Sequence, residues 1–149
     1  MVNIRFVGPE SGDFRDLAAE LDAYYYTLVG VVQDRYAEPN RPENMTALAV
    51  AYDENTPIAI GAWKRREEDL AEIKRIFVLP EYRRQGVASA LIQTLEDHAA
   101  YCGCKRWILE TARDTQDSQK LYLSLGYREI DYYGSPAGAE NCRCFYKER

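Results

Sequence analysis

The stretch EIKRIFVLPEYRRQGVASAL, residues 72–91, decides the fold of this chain. Its first part, residues 72–79, is rich in apolar and β-branched residues and predicts a strand. A helix is predicted to follow from Gln85, because apolar side chains then recur at helical spacing. The loop between them holds a proline, two arginines and Gly86, so free N–H groups at the helix start are expected to face an anion.

The same patterns place the remaining elements. A helix capped by Ser11 or Asp13 is predicted to end at Gly30, and further helices are expected at 31–36, 85–103 and 115–126. Strands are predicted at 3–7, 47–53, 58–64, 72–79, 106–112, 127–133 and 142–148, with turns at 54–57 and 65–71 and a loop at 37–45. This order predicts a single α/β domain over residues 1–149, with a mixed, mostly antiparallel sheet and helices on both faces.

Composition excludes several classes of partner. The 149 residues carry a formal charge of -5, which argues against nucleic acid or an anionic membrane as a partner. No run approaches the roughly 18 apolar residues of a membrane span. The N-terminus lacks the pattern of a signal peptide, so the cytoplasm is the expected compartment.

The four cysteines form two C-x-C pairs, whereas structural zinc sites usually have C-x2-4-C spacing. We therefore expect no metal and reduced thiols, half of them buried; a metal scaffold would need all four to converge. The cysteines are Cys102, Cys104, Cys142 and Cys144.

Two motifs carry a family resemblance. The chain has neither G-x-x-x-x-G-K-[ST] nor G-x-G-x-x-G, which argues against nucleoside triphosphates and dinucleotides. Arg83, Gly86 and Ala88, after IFVLPEYR, resemble the Q/R-x-x-G-x-G/A signature of the GCN5-related N-acetyltransferase (GNAT) superfamily. TQDSQKLYLSLGYREI resembles the A-x-x-L-Y-x-x-x-G-F helix and strand of that family. The alternative is that Gly86 simply begins a helix and the arginines lie in a solvated loop.

The resemblance implies acetyl-CoA as cosubstrate. Its pyrophosphate would bind the loop and helix start at Arg83, Arg84, Gln85, Gly86, Val87, Ala88 and Ser89. Its pantetheine would pair with the strand end at Ile76, Phe77 and Val78, which implies a sheet splayed at this site. A backbone N–H near Ile76 would polarise the thioester carbonyl. Thr115 stands where many relatives have asparagine, and Gln116 and Ser118 are further candidates for pantetheine contact.

The resemblance also implies direct attack of an amine on the thioester, without a covalent enzyme intermediate. Tyr122 is expected to act as general acid toward the coenzyme A thiolate; the alternative is an ordinary core tyrosine. Glu72 is the candidate base, with Glu110 as its rival. Strand alternation predicts one face for Glu72, Lys74, Ile76 and Val78. The alternative for Glu72 is an ion pair with Lys74 or an arginine at a solvated strand end.

The acceptor is expected to be a primary amine of a small molecule or a protein. It would enter between the first helices and the C-terminal strands. Candidate lining residues are Asp22, Tyr25, Tyr26, Trp63, Tyr132 and Tyr133, and His98 is expected to be an ordinary helical histidine at or near the surface. An acyl-CoA sensor or interaction module without catalysis is the alternative function, and a homodimer through the C-terminal strands is compatible with the family.

Overall fold

The computed structural model describes residues 1–30, 40–112, 116–131, 133 and 142–149, without the side chains of residues 28, 29, 112 and 116. The helices are α1 (Gly12–Val29), α2 (Val87–Tyr101) and α3 (Gln116–Ser124). The strands are β1 (Val2–Val7), β2 (Ala47–Asp53), β3 (Thr56–Glu67), β4 (Leu70–Val78), β5 (Arg106–Ala112), β6 (Arg128–Ile130) and β7 (Cys142–Glu148). The helix predicted at 31–36 lies outside the described residues.

The described strands form a sheet in the order β1-β2-β3-β4-β5-β7-β6. Only β4 and β5 run parallel, and the other neighbours are antiparallel. The predicted mixed, mostly antiparallel sheet is therefore confirmed. The single parallel pair arises because α2 carries the chain from the end of β4 back to the start of β5, as a crossover helix does.

Helices cover both faces, as predicted. On one face, Phe14, Leu17 and Leu21 of α1 pack on β2, β3 and β4. On the other, Leu91, Ile92 and Leu95 of α2 pack on the sheet, and α3 joins them through its half-buried and buried apolar residues. Amphipathic spacing in each helix supplies its buried side, so the sheet lies between two apolar layers.

Several element boundaries differ from the prediction. The predicted turn at 65–71 is mostly strand, because β3 continues to Glu67 and β4 begins at Leu70. Charged residues can occupy this hairpin since its backbone is paired, with Arg65 opposite Ala71, while side chains reach solvent. Similarly, β6 is shorter than predicted and α2 begins at Val87 rather than Gln85.

A bulge interrupts β4 at Arg75, whose φ is 61°. The register with β3 shifts there, from Ala62 opposite Lys74 to Ile60 opposite Phe77. One extra residue reverses the alternation of side chains, so Ile76 packs in the α2 layer on the same side as Ile73. The prediction that Glu72, Lys74, Ile76 and Val78 share one face is therefore wrong, because Ile76 and Val78 pack on the opposite face.

Contacts on both faces hold this bulge in place. The buried Arg75 guanidinium pairs with Asp22 at 2.9 Å and donates to the Ala18 carbonyl at 3.2 Å, both on α1. On the opposite face, a Cβ at Gly61 would lie 2.7 Å from Cδ1 of Ile76 and 2.8 Å from Cδ1 of Leu95. Glycine at 61 therefore leaves the space that the Ile76 side chain needs beside the bulge.

The sheet opens beside the bulge. Among the described residues, β4 and β5 pair only from Leu70 opposite Arg106 to Ile73 opposite Leu109. Residues 74–78 keep β3 as a neighbour but have no paired strand on the β5 side. The splayed sheet expected at this site is confirmed, and α2 begins at its wide end.

Candidate active site

The start of α2 presents a row of free backbone donors. The amide of Ala90 donates to the Gly86 carbonyl at 3.1 Å, but the N–H groups of residues 84–89 find no acceptor in the described part of the chain. No side chain caps the helix. These six consecutive donors lie at the positive end of the helix dipole, so the local structure can bind an anion such as a diphosphate.

Two residues with positive φ set the direction of these N–H groups. Gly86 has φ 83°, in the left-handed region, and a Cβ there would meet nothing within 4 Å. The open space matters because a ligand can then approach the backbone closely. Arg84 also has a positive φ, 62°, a strained conformation for a residue with a side chain.

The side chains of the loop divide into two sets. Arg83 turns back toward the sheet, where its Nε donates to the Val78 carbonyl at 2.9 Å. Arg84, in contrast, is exposed and pairs with the exposed Asp117 of α3 at 3.2 Å. Gln85 donates to the Glu81 carbonyl at 3.3 Å. Arg84 is therefore the arginine whose charge is accessible at the cradle, which we define as residues 84–89.

The open edge of β4 adjoins the cradle. Residues 76–78 carry the edge between the bulge and the loop, and Phe77 and Val78 are buried. The Val78 carbonyl already accepts a hydrogen bond from Arg83. A ligand that pairs with β4 like an added strand would therefore use the backbone N–H and C=O groups closer to the bulge. Only residues 79–83 separate this edge from the cradle along the chain.

Tyr122 is a buried residue of α3. Its ring packs against Phe145 at 5.9 Å and edge-on against Tyr127 at 6.2 Å. Burial raises the pKa of Tyr122 above its usual range, and the neighbouring Tyr25 adds to the rise. The phenol is therefore held neutral, as a proton donor must be. Ser118 is half-buried on the same helix, whereas Thr115 and the side chain of Gln116 lie outside the described residues.

Glu72 is buried in the sheet, 3% exposed, with both carboxylate oxygens engaged. Arg66 donates to one oxygen at 2.7 Å, and the Tyr133 hydroxyl donates to the other at 2.9 Å. Burial and the Glu72 charge raise the pKa of Tyr133. The structure favours the ion-pair alternative: the partner is an arginine, Arg66, whose side chain is exposed, whereas the Glu72 carboxylate is buried rather than solvated.

Glu110 occupies a different position from Glu72. It follows Leu109, the last β5 residue paired with β4, and lies opposite Cys144 of β7. It is half-buried, and its charge acts on Tyr25, Lys74 and Tyr133. Burial raises the pKa of Tyr25 to about 12, which Arg75 opposes. Tyr25 of α1 in turn helps to raise the pKa of Tyr122 of α3.

Other predicted acceptor residues lie elsewhere. Trp63 is wrong as a lining residue, because it is fully buried in the α2 layer and donates to Nδ1 of His98 at 2.9 Å. His98 is half-buried in α2, as expected. Tyr26 is exposed on α1, Asp22 is engaged by Arg75, and Tyr132 lies outside the described residues.

Sequence reasoning missed Arg66 and Arg75. Arg66 was part of an expected turn, and no local pattern marks Arg75, because only the register between β3 and β4 creates the bulge. Two adjacent charged residues, Lys74 and Arg75, inside a predicted strand break the alternation of polar and apolar side chains, and this was a signal that could have indicated the bulge.

The cysteines show no shared site among the described residues. None of the four forms a disulfide bond in the described part of the chain; Cys104 and Cys144 are buried, and Cys102 and Cys142 are half-buried. Within the described ranges, no group of three or more His, Cys, Asp or Glu residues is arranged to hold a metal. None of the described helices is long and apolar enough to cross a membrane.

Known proteins resemble the chain in sequence. A model of the acetyltransferase (GNAT) family matches residues 14–127. Aminoglycoside N(6')-acetyltransferase type 1 of Acinetobacter baumannii is 39% identical over 62 residues, 42% of each protein. The chain thus spans about two fifths of the length of that relative. The uncharacterized N-acetyltransferase YjcF of Bacillus subtilis is 34% identical over 113 residues, 73% of this chain and 78% of YjcF.

A solved structure shares the fold. The PaiA N-acetyltransferase from Thermoplasma acidophilum, in complex with coenzyme A, has a TM-score of 0.76 at 17% identity. The alignment covers 100% of this chain and 99% of that one. With the family match over most of its length, the chain belongs to the acetyltransferase (GNAT) family.

Proposed function

We propose that this protein is an acetyl-CoA-dependent N-acetyltransferase that transfers the acetyl group directly to a primary amine. The six free N–H groups of the cradle, beside the open edge of β4, carry the proposal. Their arrangement suits a ligand with a diphosphate joined to an amide-bearing arm. Sequence relatives named as N-acetyltransferases support the same reaction.

Each part of the site has a role in binding. The N–H groups of residues 84–89 would hold the diphosphate, with Arg84 adding positive charge. The backbone at residues 76–78 would pair with the pantetheine amides, and the bulge at Arg75 would aim a neighbouring N–H at the thioester carbonyl. Acetyl-CoA supplies the activated acetyl group.

Proton transfer would involve two groups at the opening. As the C–N bond forms and the C–S bond breaks, the amine loses a proton and the departing sulfur gains one. We assign the sulfur's proton to the neutral phenol of Tyr122. We assign the amine's proton to Glu110, directly or through water, because Glu110 is half-buried directly after the last β5 residue that pairs with β4.

The class of acceptor is inferred from the named substrates of the relatives. The named acceptors of the relatives include aminoglycosides and, for a Bos taurus relative 27% identical, thialysine. Both offer primary amines, and we propose a primary amine here. The cytoplasmic location and the homodimer stay predictions.

Calorimetric titration with acetyl-CoA, followed by thiol release across an amine panel, tests the proposal. Binding together with amine-dependent thiol release is the expected result. Binding without turnover for small amines and peptide amines would favour the sensor function instead. Absence of acetyl-CoA binding would overturn both assignments.

A further inference from the structure

We propose that the acceptor amine also carries an anionic group, which Lys64 and Lys74 bind on the α1 face of the sheet. This inference rests on the proposed function and extends it to a substrate class. The two lysines lie on neighbouring strands, β3 and β4, next to the opening where Glu110 lies. We define them as the lysine pair.

The register places the lysine pair on one face. Lys64 is opposite Glu72 and Ala62 is opposite Lys74, so the lysines are diagonal neighbours, about 7–8 Å apart at their Cα atoms. Ala62 packs in the α1 layer, which identifies the face. Lys74 is also the last residue before the bulge, at the start of the open half of β4.

The lysine pair makes no ion pair within the described part of the chain, although the Glu72 and Glu110 charges act on Lys74. Lys64 and Lys74 are both half-buried, and neither makes an ion pair or hydrogen bond there. Burial lowers the pKa of Lys74 more than the nearby Glu72 charge raises it. A partly buried cation without a bonded partner gains from an anion that reaches it.

Nearby carboxylates are already engaged. Glu72 binds Arg66 and Tyr133, and Asp22 binds Arg75. Among the described residues, these two carboxylates are therefore not available to pair with the several ammonium groups of a polycation such as an aminoglycoside. A carboxylate or phosphate on the acceptor would instead bind the lysine pair while its amine points toward Glu110.

The test compares amines that differ by one anionic group. Calorimetry on the coenzyme A-saturated protein would use L-lysine against cadaverine, and O-phosphoethanolamine against ethanolamine. At least one anionic amine should bind about tenfold or more tightly than its partner, the effect of a charge-assisted contact. A preference for L-lysine over cadaverine would indicate a carboxylate, and a preference for O-phosphoethanolamine over ethanolamine would indicate a phosphate.

Variants connect the preference to the lysine pair. Lys74→Met and the more conservative Lys74→Gln should remove most of the preference while coenzyme A affinity stays the same. Lys105→Met is the matched control, because Lys105 is exposed at the start of β5, away from the opening. Thermal unfolding of each variant checks that the fold is kept.

The outcomes separate the two proposals. If coenzyme A binds but neither anionic amine does, or if each binds no tighter than its neutral partner, the inference is overturned alone. A preference that survives Lys74→Met overturns it as well. Failure to bind coenzyme A would overturn the proposed function and the inference with it.

Discussion

The two halves of β4 differ in a way that organises the whole molecule. Residues 70–73 have paired neighbours on both sides, β3 and β5, whereas residues 74–78 have β3 alone. The closed half carries the buried Glu72 network. The open half carries the bulge, the free edge and, beyond it, the cradle. One strand thus provides rigidity at one end and unpaired backbone for a ligand at the other.

This difference is built from side chains as well as backbone. At the closed half, Tyr127 donates to Glu96 at 2.7 Å and Lys147 donates to it at 3.0 Å, so α2 is tied to β7. At the open half, the N–H groups of residues 84–89 have no such partners in the described chain. We therefore expect changes at the closed half to cost stability and changes at the open half to cost function.

The largest effect is expected for Gly86→Glu. The new carboxylate would enter the space that the cradle leaves for a diphosphate, so acetyl-CoA affinity should fall by about a thousandfold or more, as expected for repulsion plus lost charged hydrogen bonds. Calorimetric titration of the variant with acetyl-CoA measures this loss of affinity. Gly103→Glu is the matched control, since Gly103 also has a positive φ, 98°, and open space around it, but lies beyond the other end of α2.

Both glycine variants should lose similar stability, about 1–2 kcal/mol, because each forces a side chain into the left-handed region. If Gly103→Glu weakened acetyl-CoA as much as Gly86→Glu does, the effect would come from the helix as a whole. The assignment of the cradle would then fail.

The two glutamates provide the next contrast. Glu110→Gln should lower kcat by about a hundredfold or more, the usual contribution of a general base, with little change in stability. Glu72→Gln should instead destabilise the protein by about 1–3 kcal/mol, because it weakens a buried network, and should leave turnover largely intact. Steady-state kinetics and urea unfolding of both variants decide between them, and the opposite pattern would return the base role to Glu72.

Tyrosines at the two halves give a smaller contrast. Tyr122→Phe should lower kcat by about tenfold to a hundredfold while acetyl-CoA affinity changes little, because only the proton donor is lost. Tyr127→Phe should keep kcat but lose about 1–2 kcal/mol of stability, since Glu96 loses a buried donor. An unchanged kcat in Tyr122→Phe would assign that side chain to the core.

Alkaline pH should affect both halves alike. Burial raises the pKa of four tyrosines: Tyr25, Tyr122, Tyr127 and Tyr133. The unfolded chain releases tyrosine protons near pH 10, whereas the folded protein retains them, so the free energy of unfolding should fall as pH rises above about 10. Below that pH the contribution is fully present.

Each such tyrosine contributes up to about 1.4 kcal/mol per pH unit in that range. For Tyr25 the loss should be complete near its folded pKa of about 12. Urea unfolding between pH 8 and 11.5 would show a shallower decline for Tyr25→Phe than for Tyr101→Phe, whose residue is 90% exposed. Equal slopes would mean that water fills the opening around Tyr25.

The order of elements, the mixed sheet and the cradle could be predicted from residues 72–91 and the periodicities around them. These features depend on local interactions: apolar spacing defines helix faces, and a glycine beside a helix start leaves N–H groups free. Helix capping is also a local interaction, so Ser11 could be identified as a candidate cap of α1. The Ser11 hydroxyl does accept a hydrogen bond from the Phe14 amide at 3.2 Å.

Only the tertiary structure decided how the strands meet. The bulge at Arg75, the pairing of the buried Glu72 with Arg66, and the burial of Trp63 all follow from the register between β3 and β4. A single extra residue reverses every later side chain, and no periodicity in one strand reports where its neighbour slips. The physical reason is that register is a property of two strands, while sequence pattern describes each strand alone.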